Sequence, residues 1–261
     1  MTGGASSPSA AETASTAIGW APRERRKLHS FLDTGRGSTW WAPGAAGWWI
    51  GVLFAIGATF FGLGAAPGYF KAVGNHTDAV TFFIGSMFFT TAAALQFLEA
   101  VNAREEEHKK GARQHFRFFV ILPRDLAWWS CLVQLAGTIY FNISTFSAIT
   151  TTLTPAGVDH LVWKPDIFGS ICFLIASFLA WLELGRAARS WRPRSLSWWI
   201  VNLNVAGSAA FGVSALAAYV VPTTGSDVNK MLVNLGTFIG ANCFLAAAIL
   251  LLPERTREKL G

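Results

Sequence analysis

The sequence predicts an all-α membrane protein in which six transmembrane helices form three tandem, parallel helical hairpin repeats. Three observations predict it: an apolar composition, six apolar blocks, and a spacing of Trp, Gly, Phe and Glu that recurs in successive pairs of blocks. Hydrophobic residues make up 52% of the 261 residues and charged residues 14%, against about a quarter charged in soluble domains. With a mean hydropathy of +0.39, the composition favours a chain that resides in lipid.

Each apolar block is long enough for a helix that crosses a hydrocarbon core about 30 Å thick. The blocks are 47–69, 78–101, 126–150, 166–185, 197–221 and 230–252. Gly, Ala, Ser and Thr occur throughout them, as in helices that pack closely in lipid. Alternating runs of about ten residues, which a membrane β-barrel needs, are absent from the sequence. The blocks therefore predict transmembrane helices.

The basic residues are distributed unevenly along the chain. Of 21 Lys and Arg, only Lys71, Lys164 and Lys230 lie in the connections within the three pairs of blocks. The others lie in the terminal tails and in the connections after the second and fourth blocks. This asymmetry predicts that both termini are cytoplasmic and that the basic segments contact anionic lipid headgroups. The net charge of +6 is thus explained by topology, and nucleic acid is not a predicted partner.

Blocks and charges together predict seven segments. They are a largely disordered cytoplasmic tail with interfacial Trp (1–45), hairpin one (46–102), a basic cytoplasmic linker (103–125), hairpin two (126–186), a basic cytoplasmic loop (187–196), hairpin three (197–254) and a cytoplasmic tail (255–261). The first 20 residues have neither the basic start nor the apolar core of a signal peptide.

A Trp pair marks the first helix of each hairpin. The pairs are Trp48-Trp49, Trp128-Trp129 and Trp198-Trp199, and the last two end the related phrases PRDLAWW and PRSLSWW. Eight residues after each pair comes a Gly and twelve residues after it a Phe: Gly57, Gly137 and Gly207, then Phe61, Phe141 and Phe211. Because amphipathic rings favour the membrane interface, we expect these six Trp to be interfacial anchors.

The second helices carry a repeat of their own. Gly85, Gly169 and Gly240 are each followed after four residues by a Phe (Phe89, Phe173, Phe244) and after fourteen by a Glu (Glu99, Glu183, Glu254). Each repeat crosses the membrane twice, so the three copies share one orientation and are related by an axis along the membrane normal. A six-helix bundle with approximate threefold symmetry is the predicted arrangement.

Three segments of the second helices resemble the pattern of the YrhK domain, a short bacterial membrane hairpin with a Gly-Ser/Thr-x-x-Phe core. They read FFIGSMFFTTAAALQFLEA, PDIFGSICFLIASFLAWLEL and NLGTFIGANCFLAAAILLLPE. The third departs from the pattern, with Ala241 where the others have Ser86 and Ser170. The resemblance implies an integral protein of the bacterial plasma (inner) membrane, and it implies no activity or catalytic residue.

Glu99, Glu183 and Glu254 form the first candidate site, a ring of carboxylates at the cytoplasmic mouth of the bundle. Acidic rings attract cations in channels, and a carboxylate at a helix C-terminus is unfavourable without a partner. The alternative is local pairing, because Arg104, Arg186 and Arg257 lie three to five residues after these Glu.

Intramembrane amides form a second candidate set: Gln134, Asn142, Asn204 and Asn242. Gln134 and Asn204 share one repeat position, where hairpin one has Phe54. These side chains could line a polar path for a solute, or they could form hydrogen bonds between helices. Interhelical bonding is the simpler interpretation, because no intramembrane charge accompanies the amides.

The sequence predicts neither an enzyme nor a cofactor. It contains no nucleophile–base pair, zinc-ligand spacing or Gly-rich phosphate loop. His76, His160 and Met231 occupy one repeat position and would suit a soft metal, although a coincidence of two loop histidines explains the first two equally well.

Two function classes remain open. The first is a channel or carrier for a small ion or solute, formed by the three hairpins or by a homo-oligomer of the chain, with the three Glu on a water-filled axis. The second is a non-transporting membrane component that scaffolds a partner or contacts lipid. In the second class Phe61, Phe141 and Phe211 fill the axis and the Glu point sideways to Arg. Short loops between polytopic helices are typical of transport, which makes the first class the working prediction.

Overall fold

The computed structural model describes residues 40–108, 118–150, 152–187, 195–221 and 226–257, and within these ranges the side chains of 103–108, 186–187 and 254–257 lie outside the description. The elements are α1 (Ala46–Gly64), α2 (Tyr69–His108), α3 (Leu126–Ala148), α4 (Pro155–Val158), a π-helical turn (Asp159–Trp163), α5 (Lys164–Ala187), α6 (Leu196–Ala217), β1 (Val220–Val221), β2 (Ser226–Asp227) and α7 (Lys230–Arg257). The described chain is therefore helical, with one antiparallel two-residue strand pair.

Five described helical segments are long and apolar enough to cross a membrane. They are Ala46–Gly64, Tyr69–Asn102, Pro155–Gly185, Leu196–Ala217 and Lys230–Pro253. The remaining long helix, α3, has 23 residues, which is sufficient length. It carries Gln134 and Asn142 together with several Ser and Thr, and these polar residues lower its hydropathy. The chain thus has the helices of a multi-pass membrane protein.

The ends of the predicted segments differ from the observed helices in four places. α2 begins at Tyr69, bends at the non-helical Gly74 (φ 79°) and continues beyond 102 to His108. The fourth apolar block belongs to a helical stretch that already begins at Pro155. Thr154 caps this stretch, because its hydroxyl accepts a hydrogen bond from the N–H of Gly157. α6 begins at 196 and α7 extends to 257. Helices extend beyond apolar blocks because polar ends remain helical in water or headgroups.

The repeated Pro-to-Trp phrase leads into α1, α3 and α6, and in α1 and α3 the second Trp bonds back to the Pro. The indole N–H of Trp49 donates to the carbonyl of Pro43 (2.9 Å), and that of Trp129 donates to Pro123 (3.1 Å), six residues back in both cases. Side chains cap two of these helices: Asp125 accepts from the first turn of α3, and Ser195 accepts from that of α6. α1 has no side-chain cap. This end of the bundle is called the tryptophan end below.

A reciprocal glycine contact holds the two helices of each hairpin together. A Cβ built on Gly57 would lie 2.9 Å from the carbonyl oxygen of Gly85, and one on Gly85 would lie 3.1 Å from that of Gly57. The same pairing recurs in the other hairpins, between Gly137 and Gly169 and between Gly207 and Gly240. Only Gly permits such close backbones, so the spacing found in the sequence fixes how each hairpin packs.

The six long helices form a closed ring. α1 packs against α2 and α7, α3 packs against α2 and α5, and α6 packs against α5 and α7. The main core cluster lies inside this ring and contains Phe and Ala from several helices. Large apolar side chains such as Phe168, Phe178 and Ile239 are exposed on the outer faces, as expected of helices that face lipid.

Candidate functional site

Six phenylalanines fill the axis of the ring in two layers, here called the phenylalanine plug. One layer is Phe61, Phe141 and Phe211, with ring centroids 5.7–6.3 Å apart. The other is Phe89, Phe173 and Phe244, with centroids 5.9–6.3 Å apart. All six are buried, at separations typical of aromatic pairs in contact. The plug therefore closes the axis, as the second function class requires.

A small polar cavity, here called the vestibule, lies between the plug and the tryptophan end. Its outer part has a volume of about 40 Å³ and its inner part about 50 Å³, enough for one or a few water-sized molecules. The two parts share Gln96, Ser130, Ala180 and Leu251 in their walls. The plug layer of Phe89, Phe173 and Phe244 forms part of the wall of the inner part. The vestibule is therefore blind at the plug.

Glu99 and Glu183 both line the outer part of the vestibule. Only 7% of Glu99 and 4% of Glu183 is exposed, so both carboxyl groups lie within the bundle. Oε1 of Glu99 lies beside Gly47, 3.7 Å from where a Cβ would stand, which is an ordinary contact distance. The structure thus brings two of the three predicted acids to one cavity. The side chains of Glu254 and of the proposed partners Arg104, Arg186 and Arg257 lie outside the described residues.

Amide side chains line the inner part of the vestibule. Gln134 and Asn204 both face it, together with Phe54 from the same repeat position. Gln96 lies between the two parts, and its amide nitrogen is 3.7 Å from the thiol of Cys131. Two of the four predicted amides therefore take part in the candidate site.

The other two predicted amides lie elsewhere. Asn142 donates to the hydroxyl of Thr90 across α3 and α2 (2.8 Å), which is the interhelical bond expected in lipid. Asn242 is exposed and donates to the carbonyl of Phe238 in its own helix (2.8 Å). For Asn242 the described residues show neither a place in the vestibule nor an interhelical bond, because an Asn within a helix can satisfy its amide on the preceding turn.

Sequence reasoning missed three polar groups of the vestibule. Gln96 corresponds to Ala180 and Leu251 in the other hairpins, so the repeat gave no signal for it. Ser130 donates to the carbonyl of Ala176 (2.8 Å). Ser177 lies 2.6 Å from the hydroxyl of Ser208. Single Ser residues in apolar blocks carry no pattern, and only the fold shows which of them face a cavity.

The members of each Trp pair face different surroundings. The two rings meet edge to face at centroid distances of 4.8–5.0 Å. The first Trp is buried in two pairs (Trp48, Trp128) and partly buried in the third (Trp198). The second Trp is 40–47% exposed in all three pairs (Trp49, Trp129, Trp199). The second Trp of each pair is thus the more exposed of the two, and the prediction that all six are interfacial anchors stays a prediction.

No group of three His, Cys, Asp or Glu within the described ranges is placed to hold a metal ion. Of the residues at the His76 position, His160 lies 3.1 Å from the ammonium of Lys164. Met231 is 77% exposed in a separate cavity at the far end of the bundle.

Comparison of the chain with protein-family models, curated proteins and solved structures finds no match. The resemblance to the YrhK domain stays a prediction from the repeated Gly and Phe.

Proposed function

We propose that this protein is a six-span membrane protein that binds a small cation in the vestibule and acts as a gated channel or carrier for it. One observation carries the proposal: Glu99 and Glu183 are buried in the wall of one small cavity. Ionisable side chains buried within membrane-spanning helices are rare, and they commonly mark ion pathways. Gln96 and Gln134 add amide oxygens that can replace part of the hydration shell of an ion.

The proposed sixth span is α3. Its amides face the protein, because Gln134 lines the vestibule and Asn142 bonds to Thr90. Its exposed side chains include Ile139, Ile143 and Phe146. A helix that hides its amides and presents apolar side chains outward is suited to lipid despite a modest mean hydropathy. Packed between α2 and α5, α3 would cross the bilayer with its neighbours.

The proposed orientation places the tryptophan end in the cytoplasm of a bacterial cell, within the plasma membrane. The distribution of Lys and Arg supports it, because the basic segments all join this end. Anionic headgroups are the proposed lipid partners there. With this orientation the vestibule would receive its cation from the cytoplasmic side.

In this proposal the phenylalanine plug is a closed gate. Passage of an ion would require Phe89, Phe173 and Phe244 to separate, since their rings are in mutual contact. Helices that shift against one another by an ångström or two are a common way to open such a contact. Binding in the vestibule would not require this movement.

The plug also favours the second candidate function, a non-transporting membrane component. Two layers of buried rings, backed by three reciprocal glycine contacts, form a well-packed core. A chain of this kind would scaffold a partner at its basic segments, and the carboxylates would serve to hold helix ends together. Flux across the membrane separates the two functions.

The deciding experiment measures cation flux in liposomes that contain the purified protein. Wild type is compared with the Glu99→Gln/Glu183→Gln double variant and with Phe89→Ala, which removes one ring of the plug. Glu106→Gln is the matched control, because it removes a carboxylate of α2 beyond the apolar segment that ends at Asn102. Equal folding of all four proteins is verified by melting temperature.

The proposed pathway predicts three results. Wild type conducts cations, the double variant conducts less while Glu106→Gln matches wild type, and Phe89→Ala conducts more. If neither wild type nor Phe89→Ala carries any of a broad panel of cations, the pathway is ruled out and the non-transporting function takes its place.

A further inference from the structure

The far end of the bundle contains a second, much larger cavity that the proposed function does not use. Its volume is about 760 Å³, within the range of small-molecule sites. It lies between the connection from α1 to α2 and the first turns of α7. The vestibule, at the opposite end of the helices, shares no lining residue with it.

Glycines shape the wall that α2 contributes. Gly68 (φ 90°) and Gly74 (φ 79°) both have left-handed backbone conformations, which favour Gly. They bound a short helical segment that carries Phe70 and Lys71. Lys230 of α7 lies over the ring of Phe70, 4.8 Å from its centroid. This cation–π contact joins hairpins one and three across the cavity.

The opposite wall is an apolar face of α7. Met231, Leu235 and Phe238 follow at helical spacing and all line the cavity, so they lie on one side of the helix. Met231 is 77% exposed and Leu235 is 48% exposed. This face runs from the end of the bundle towards its middle, which is the direction that a lipid acyl chain takes from the headgroup region into the bilayer.

The charges at the mouth of the cavity are mixed. Lys71 and Lys230 supply two ammonium groups, and Asp78 supplies a carboxylate. Oδ1 of Asp78 is buried and has no hydrogen-bond partner among the described residues. Lys230 also acts electrostatically on Asp78, so the three groups form one cluster with a net charge of +1. A zwitterion complements this cluster when its phosphate meets the two ammonium groups and its positive group donates a hydrogen bond to the carboxylate.

We propose that this cavity binds a phospholipid whose headgroup carries a primary amine, such as phosphatidylethanolamine. Its phosphate would contact Lys71 and Lys230, its ammonium would donate to Asp78, and one acyl chain would lie along Met231 and Leu235. A choline headgroup cannot donate to Asp78, and a glycerol headgroup has no positive group to offset the carboxylate. The charge pattern therefore selects the amine.

The test is native mass spectrometry of the full chain, purified free of lipid. Phosphatidylethanolamine, phosphatidylcholine and phosphatidylglycerol with identical acyl chains are titrated separately. Wild type is expected to bind the ethanolamine lipid roughly tenfold more tightly than the choline lipid, the preference that one charge-assisted hydrogen bond gives. Asp78→Asn is expected to reduce that ratio to near one.

Three further variants make the test specific. Lys71→Met/Lys230→Met is expected to weaken all three lipids, because it removes the phosphate contacts. Met231→Trp, at a side chain that is 77% exposed, is expected to block the acyl groove. Asp227→Asn is the matched control: Asp227 lies close enough to Lys230 for electrostatic interaction but does not line the cavity, so the preference should persist.

The proposal is overturned if wild type binds the ethanolamine and choline lipids equally, or if Asp78→Asn keeps the full preference in a protein with the melting temperature of wild type. A dimer that excludes lipid would overturn it too, since a second copy would then cover the cavity. These outcomes are independent of cation binding in the vestibule.

Discussion

The reciprocal glycine contact between α1 and α2 provides the sharpest prediction about stability. In Gly57→Ala the new Cβ would lie 2.6 Å from Cδ2 of Phe89 and 2.9 Å from the carbonyl oxygen of Gly85. The ring can turn, but the oxygen belongs to a helix backbone. To restore a separation of about 3.4 Å, α1 and α2 must move apart by about 0.5 Å.

This displacement sets the expected magnitude. A gap of about 0.5 Å already forfeits about a quarter of the dispersion energy of the contacts it opens, and overpacking in well-packed cores costs about 1–3 kcal/mol. Packing contacts, rather than the release of water, drive helices together in lipid. The lost dispersion energy therefore lowers the free energy of unfolding directly. We therefore expect Gly57→Ala to lower the free energy of unfolding by about 1–3 kcal/mol relative to a matched control.

The control is Gly62→Ala in the same helix. A Cβ at Gly62 would meet only the Cβ of Ala241, at 3.8 Å, an ordinary contact. Both changes alter helix propensity alike, by up to about 1 kcal/mol, so this contribution cancels in the comparison. The assay is reversible unfolding in mixed micelles with increasing dodecyl sulfate, followed by tryptophan fluorescence. Equal stability of the two variants would refute the close contact.

Three further changes test separate contacts. The hydroxyls of Ser86 and Thr145 lie 3.0 Å apart across α2 and α3, so a double-mutant cycle with Ala at both sites should give a coupling of about 0.6 kcal/mol; zero coupling would contradict the bond. Asp125 caps α3, so Asp125→Ala should cost about 1 kcal/mol in the same unfolding assay, and Asp125→Ser should restore most of it; an equal loss from both would exclude capping as the cause. Burial raises the pKa of the Asp227 carboxyl above 3.8, against the opposing charge of Lys230, so the folded state holds this proton more tightly than the unfolded chain. The melting temperature should accordingly rise as pH falls from the raised pKa towards 3.8, and Asp227→Asn should abolish this contribution; an unchanged pH profile would contradict it.

The helices could be predicted because their apolar blocks are long, and the glycines that meet between them share one spacing in the sequence. Gly57 and Gly85 face each other as their counterparts do in the other hairpins, and the offsets to Phe61 and Phe89 place six rings on one axis. An apolar block of about 20 residues also identifies a spanning helix by length alone. Hydropathy identifies α3 least clearly as a spanning helix, because Gln134 lowers the mean value although its side chain faces the protein.

The features that differ between repeats could not be predicted. Gln96 has no counterpart in the other hairpins, so only the fold reveals it in the vestibule wall. The bend at Gly74 depends on a backbone conformation that many glycines do not adopt. Asn242 and Gln134 are both amides in apolar blocks, and one faces outward while the other faces the vestibule. The rotation of a helix about its own axis determines whether an amide faces outward or inward. A block of mostly apolar residues does not specify that rotation.

The most direct test of the cation-binding vestibule asks whether a small cation reaches Cys131, whose side chain lies in the vestibule wall. In a Cys172→Ala/Cys243→Ala background, sealed vesicles of known orientation are exposed to Ag⁺ on one side, and the remaining thiol is measured by alkylation in denaturant. We predict that Cys131 reacts only from the tryptophan end, and that Glu99→Gln/Glu183→Gln slows the reaction roughly tenfold by removing the local attraction. Reaction from the far end alone, or equal rates with and without the two carboxylates, would contradict the proposed site.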